Sequence, residues 1–240
     1  MFSFLYTEIL WRPLFNGLVF LYNIVPGQDL GLAIIALTVI IRIVLFPVFW
    51  KGQKAQAQMA RIQPELKKIQ QEHKNNREAQ SKALMEFYAR EKVNPFSGCL
   101  LLLIQLPILI ALLRVFQSGL KPEQLHYLYS FVANPGAINT IGFGILDLAK
   151  GNLVLGVLAA ISQFYQTKLT IAKQPVAKDA NDFARIMQWQ TLYLFPLLIL
   201  GWSYSLPAAL TLYWTASNMF AIVQELISRF LTKRRAESAG

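Results

Sequence analysis

The sequence predicts an all-α integral membrane protein. It has five transmembrane helices around a hydrophilic groove, an N-terminal interfacial helix and a cytoplasmic helical hairpin. Three observations predict it. The chain of 240 residues is 55% hydrophobic and only 15% charged, where soluble proteins carry about 25% charged residues. Its apolar residues gather in runs near the ~20 residues that cross a ~30 Å hydrocarbon core. Its basic residues concentrate in alternate polar stretches between those runs. The apolar content excludes disorder. It also argues against a soluble nucleic-acid binder, despite the net charge of +10. The single cysteine, Cys99, excludes a disulfide framework and a multi-cysteine metal site. Two histidines, His73 and His126, leave little for a His-based site. No metal, cofactor or catalytic residue is expected.

The elements follow in order. Residues 1–29 hold an apolar stretch, Leu14 to Val25, between Pro13 and Pro26. It is too short for a span and lacks the basic start and cleavage site of a secretory signal. With Trp11, Phe15, Phe20 and Tyr22 it reads as an external amphipathic helix at the membrane interface. The spans are 30–50, 96–116, 153–172, 189–203 and 206–226. The fourth is short and joins the fifth through a Ser-Leu-Pro turn. Between them lie a cytoplasmic hairpin at 51–95, an external loop at 117–152 and a cytoplasmic loop at 173–188. A basic tail at 227–240 ends the chain.

Orientation follows from the positive-inside rule. Eighteen of the 23 Lys and Arg residues fall in 51–95, at 168–185 and in the tail. Arg12, Lys121 and Lys150 lie on the other side. The N-terminus is therefore expected outside and the C-terminus in the cytoplasm.

Residues 51–95 have a helix-forming composition. Met59, Ile62, Leu66 and Ile69 make a coiled-coil-like seam, Lys74-Asn75-Asn76 a turn, and Leu84, Phe87 and Tyr88 a second apolar face. Pro64 is expected to interrupt the first helix or to start a new one.

Arg42 is the most informative residue. It lies 12 residues into the first span and eight from its end, so roughly 12 Å from the cytoplasmic edge. Insertion scales charge about 2.5–3.5 kcal/mol for such an arginine, and such residues mark function. No Asp or Glu occurs in the first four spans, and Glu225 closes the cytoplasmic end of the last. A charge without a carboxylate at its depth needs water, which argues for a wet cavity open to the cytoplasm. The candidate lining is Thr38, Gln105, Gln163, Gln166, Gln190, Thr211, Trp214, Thr215 and Asn218, with Ser162 and Thr167 polarising the third span. Arg114, near the outer end of its span, is expected to snorkel.

At these residues a resemblance enters. Gly31 to Thr38, Arg42 and Pro47 resemble the first core helix of YidC-type membrane protein insertases, and Met59 to Glu65 resembles their hairpin. Asn94-Pro-Phe-Ser-Gly-Cys-Leu100, running into Gln105-Leu-Pro107, is similar to the second core helix. Gln163 to Lys168 and Leu212 to Asn218 are similar to the third and fifth. The resemblance implies a five-helix core around a hydrophilic groove, with Arg42 as the groove arginine, in the bacterial inner membrane. It implies insertion of small or polar-tailed membrane proteins, without a nucleotide. The implied partners are nascent membrane proteins and lipid. The Sec translocon, the ribosome or the signal-recognition-particle pathway would act through 51–95 and the tail. The chain lacks the large outer domain and lipoprotein cysteine of long members, so it reads as a minimal or trimmed form. The rival expectation is a small-solute or anion transporter using Arg42 as its binding charge. A membrane enzyme lacks the residues for it.

Overall fold

The computed structural model describes residue 4 and residues 6–94, 97–171, 186 and 188–237. Side chains are not described at 53, 56, 60, 97–103, 232, 233 and 235–237. The expected loop 173–188 lies outside the described residues except at 186 and 188. So do the side chains of the 94–100 motif after Asn94, Cys99 included.

A π-helical turn, Thr7–Trp11, leads into α1, Arg12–Ile24. The other helices are α2 (Leu30–Val44), α3 (Phe46–Glu72), α4 (Arg77–Arg90), α5 (Ser97–Arg114), α6 (Leu153–Ile171), α7 (Phe195–Trp202) and α8 (Ala208–Glu237). The all-α expectation needs one amendment. In the loop between α5 and α6, β1 (Ile141–Gly142) pairs antiparallel with β2 (Leu146–Asp147), with Ile141 opposite Asp147.

Three boundaries differ from those expected. The first span does not run unbroken to Trp50: α2 ends at Val44, and α3 departs at 58°. Pro47 sits in the first turn of α3, where its missing N–H costs nothing, and its ring disfavours helix continuing through the residues before it. Pro64 lies inside α3 without breaking it, on an exposed position. The last helix continues to Glu237, through the first part of what was expected to be a tail. Among the described residues no single helix is long and apolar enough to cross a membrane. The bent pair 30–44 and 46–59 passes that test together.

The hairpin forms as its pattern dictates. Asn76 caps α4 through the Ala79 N–H at 3.0 Å, as an N-cap asparagine does. Leu66 and Phe87, one from each helix, are buried between α3 and α4. Gln80 Nε2 donates to the Gln70 carbonyl at 2.8 Å, across the turn.

The core lies at the opposite end. Phe15, Leu18 and Val19 of α1, Leu30 and Ile34 of α2, Leu112 of α5 and Leu148 of the loop are buried in one cluster. So α1 packs a face into protein while Phe20 and Ile24 on its other side stay exposed. Polar contacts fasten the loop over this end. Asn16 Oδ1 accepts from the Tyr129 N–H at 2.6 Å, and Tyr22 Oη from the Asn139 N–H at 3.0 Å. Asp29 caps α2 through the Leu32 N–H at 2.9 Å and also accepts from the Phe143 N–H. The Ala208 and Ala209 N–H groups, left without partners at the start of α8, donate to the Lys150 and Leu148 carbonyls at 2.8 and 2.9 Å.

Helix α8 is central, packing mainly against α6 and α2. The α6–α7 contact is close. A Cβ placed on Gly156 would lie 2.0 Å from Ser203 Oγ, and one on Gly151 would lie 2.1 Å from the Tyr204 carbonyl oxygen. Gly156→Leu is therefore expected to lose at least about 1–3 kcal/mol through overpacking. Thermal unfolding in detergent measures it, with Gly201→Ala as the neutral control, since nothing lies within 4 Å of a Cβ there.

Candidate functional site

Helices α6 and α8 bury polar side chains alongside apolar ones such as Leu155, Ala159 and Leu210, and expose large apolar ones. On α6, Ser162, Gln163 and Thr167 are buried, while Leu153, Val154, Val157, Leu158 and Ile161 are exposed. On α8, Thr211, Ser217, Asn218 and Glu225 are buried, while Met219, Val223, Leu226 and Ile227 are exposed. This inverts the pattern that water imposes.

Two polar clusters occupy two faces of α8. The first centres on Arg42, in the last turn of α2. Its Nε and Nη2 both donate to Ser217 Oγ, at 2.8 and 2.5 Å. Its guanidinium carbon lies 4.9 Å from the ring centre of Phe49, in the first turn of α3. Tyr213 lies one turn before Ser217 on α8. Tyr213 Oη accepts from Gln105 Nε2 of α5 at 2.8 Å. Four helices thus meet in one chain of contacts. Among the described ion pairs none engages Arg42.

The second cluster joins α8 to α6. Trp214 Nε1 donates to Gln163 Oε1 at 3.2 Å, and Asn218 Nδ2 to Ser162 Oγ at 3.2 Å. Gln163 Nε2 donates to Thr167 Oγ1 at 3.0 Å. Gln166 Nε2 reaches Thr170 Oγ1 at 3.3 Å. Further along, Arg229 pairs with Glu225 at 2.7 Å and donates to the Leu169 carbonyl at 2.8 Å.

The expected site residues are thus divided. Arg42 and Gln105 join the first cluster; Gln163, Gln166, Trp214 and Asn218 join the second. Thr38 is fully buried and donates to the Ile34 carbonyl of its own helix at 2.7 Å. Thr215 likewise donates to the carbonyl of Thr211. Gln190 is exposed, at the start of the π-helical turn Gln190–Leu194 before α7. Sequence reasoning missed Ser217, Tyr213 and Phe49. The available signal was the four-residue spacing of Tyr213 and Ser217, which forms a stripe parallel to the 211–215–218 one. Arg114 is exposed near the end of α5, its guanidinium carbon 5.1 Å from the Tyr6 ring centre.

These features define a class: a helical bundle apolar toward its surroundings, with an arginine-centred polar network between its helices. Comparisons narrow it. The family described as "60Kd inner membrane protein" matches residues 20–235. The chain is 34% identical over 208 residues to the membrane protein insertase YidC of Fusobacterium nucleatum, covering 87% of this chain and 88% of that one. It is 34% identical over 199 residues to the same-named protein of Francisella tularensis subsp. novicida, covering 82% of this chain and 32% of that one. A crystal structure of an active YidC insertase with its first transmembrane domain resolved superposes with a TM-score of 0.57 at 26% identity. That match covers 91% of this chain and 46% of the solved one. The chain belongs to the 60Kd inner membrane protein family, whose relatives here are YidC insertases.

Interhelical hydrogen bonds in membranes average about 0.6 kcal/mol, reaching about 1.7. A double-mutant cycle of Trp214→Phe with Gln163→Leu is expected to give a coupling of that order. Unfolding in mixed micelles measures it, and a coupling of zero would remove this bond from the account of the second cluster.

Proposed function

We propose that the chain is a membrane protein insertase, passing membrane-protein segments from the cytoplasm into lipid past the Arg42 cluster. One observation carries the reading: α6 and α8 bury polar residues and expose apolar ones around a buried-side arginine. Exposed apolar faces of this extent suit lipid. The inward Ser162, Gln163, Gln166 and Thr167 also explain why α6 falls short of the hydropathy of a simple span. The relatives' names favour insertion over the rival solute transport.

In this reading five segments cross the membrane: 30–50, 96–116, 153–172, 189–203 and 206–226. The positive-inside rule sets the N-terminus outside. The polar clusters line a groove that is wet from the cytoplasmic side and capped outside by the loop between α5 and α6. Gln224 supports the wetness. Its Nε2 is buried without a partner among the described residues, seven positions beyond Ser217 on the same face of α8. A buried amide left so calls for water.

The physical task is to move a polar tail across hydrocarbon. A wet groove shortens the dry path. Arg42 attracts acidic groups of the tail and replaces part of their hydration. The apolar part of the substrate then partitions sideways into lipid, which drives release. The membrane potential adds about 2.3 kcal/mol per charge per 100 mV. No covalent step is required. The α3–α4 hairpin and the basic end of α8 are the surfaces offered to cytoplasmic partners, the Sec translocon, ribosome or signal-recognition particle among them.

The test is depletion of a host's own insertase with this chain supplied in its place. Insertion of a small single-span substrate is expected to be restored. Arg42→Ala is expected to lower insertion most for an acidic tail. Solute uptake without insertion would overturn the reading.

A further inference from the structure

We infer that Ser217, backed by Tyr213 and Gln105, is a positioning residue that fixes the orientation of Arg42 and leaves one edge of its guanidinium facing the acidic group of a passing segment. The inference rests on the insertase reading of the Arg42 site.

An arginine on its long stem samples many orientations. Here three contacts remove that freedom. Nε and Nη2, the pair on the side edge of the fork, both donate to Ser217 Oγ. Phe49 lies against the guanidinium, 4.9 Å away. One turn before Ser217 on α8, the Tyr213 hydroxyl accepts from Gln105 Nε2 at 2.8 Å. Ser217 and Tyr213 are 2% and 3% exposed, one turn apart on α8. The lock is therefore part of the helix packing rather than a mobile surface contact. What remains is the end edge, Nη1 with the outer N–H of Nη2, which is the edge that pairs bidentately with a carboxylate. Among the described residues no group accepts from Nη1.

The neutrality of the anchor matters. A carboxylate at position 217 would orient Arg42 equally well but cancel its field. A hydroxyl orients without neutralising, so the charge stays available to a substrate and the contact stays weak enough to release it.

The experiment uses the full chain in proteoliposomes and one single-span substrate with either an acidic or a neutral tail. Ser217→Ala, Ser217→Thr, Tyr213→Phe and Arg42→Ala are compared. Loss of a hydrogen bond to a charged group predicts that Ser217→Ala lowers acidic-tail insertion roughly tenfold or more, with neutral tails falling less than about twofold. Ser217→Thr, which keeps the hydroxyl, restores the acidic tail. Tyr213→Phe keeps the ring and gives a smaller loss of the same selectivity. It carries the comparison if Ser217→Ala does not accumulate. Equal losses on both tails, or none, in the Ser217→Ala and Tyr213→Phe proteins overturn the inference when Arg42→Ala is selective. An unselective Arg42→Ala overturns the site reading itself, and the inference with it.

Discussion

A guanidinium set among apolar helices must be solvated by something. In this chain it is solvated by neutral groups: a serine hydroxyl of α8, the ring of Phe49 and, behind them, Tyr213 and Gln105. That requirement organises the bundle. It draws α2, the start of α3, α5 and α8 to one point. It also leaves the adjacent face of α8 to meet α6 through Trp214 and Asn218. A buried carboxylate would have served stability as well. Its place is taken by hydroxyls and amides, which hold the arginine without quenching it.

The two ends of the bundle differ accordingly. At the end away from the hairpin, backbone and side-chain hydrogen bonds fasten the loop between α5 and α6 to α1, α2 and α8, and large apolar side chains fill the space. Toward the hairpin end, α6 and α8 meet through polar groups, with Arg229 reaching the Leu169 carbonyl, and α3 and α4 leave as a hairpin with a thin seam of its own. In the insertase reading, the closely packed end and the polar end together give a direction to any segment that enters. Family membership makes insertion the activity to which that direction belongs.

Much of this was legible in the sequence because membrane helices write their ends in hydropathy. The helical character of 30–44 and 153–171 followed from apolar runs, and the hairpin with its turn at Lys74-Asn75-Asn76 from helix-forming composition and an apolar seam. Arg42 and Gln105 stood out as polar residues where few are tolerated. What could not be read was azimuth. Helix α8 carries polar or hydroxyl-bearing residues at 211, 213, 214, 215, 217 and 218. That pattern has no single polar stripe, so which side faces Arg42 is decided by where α2 and α6 pack. The same holds for Thr38. It shares a face with Arg42, yet its hydroxyl closes on its own backbone. The bend at Leu45 hid inside an apolar run that hydropathy treats as continuous. The burial of α1 hid because an aromatic-rich helix suits a protein core as well as an interface.

In the insertase reading, the polar clusters lie in water continuous with the cytoplasm and closed from the outside. The direct measurement is thiol accessibility. Cys99 is the only native cysteine, so a Cys99→Ser background with Ala221→Cys puts one thiol on α8 one turn beyond both Ser217 and Asn218, between the two clusters. The account predicts that a membrane-impermeant maleimide labels it from the cytoplasmic side of sealed vesicles and not from the outer side. Labelling from the outer side alone, or labelling only after the membrane is dissolved, would contradict it.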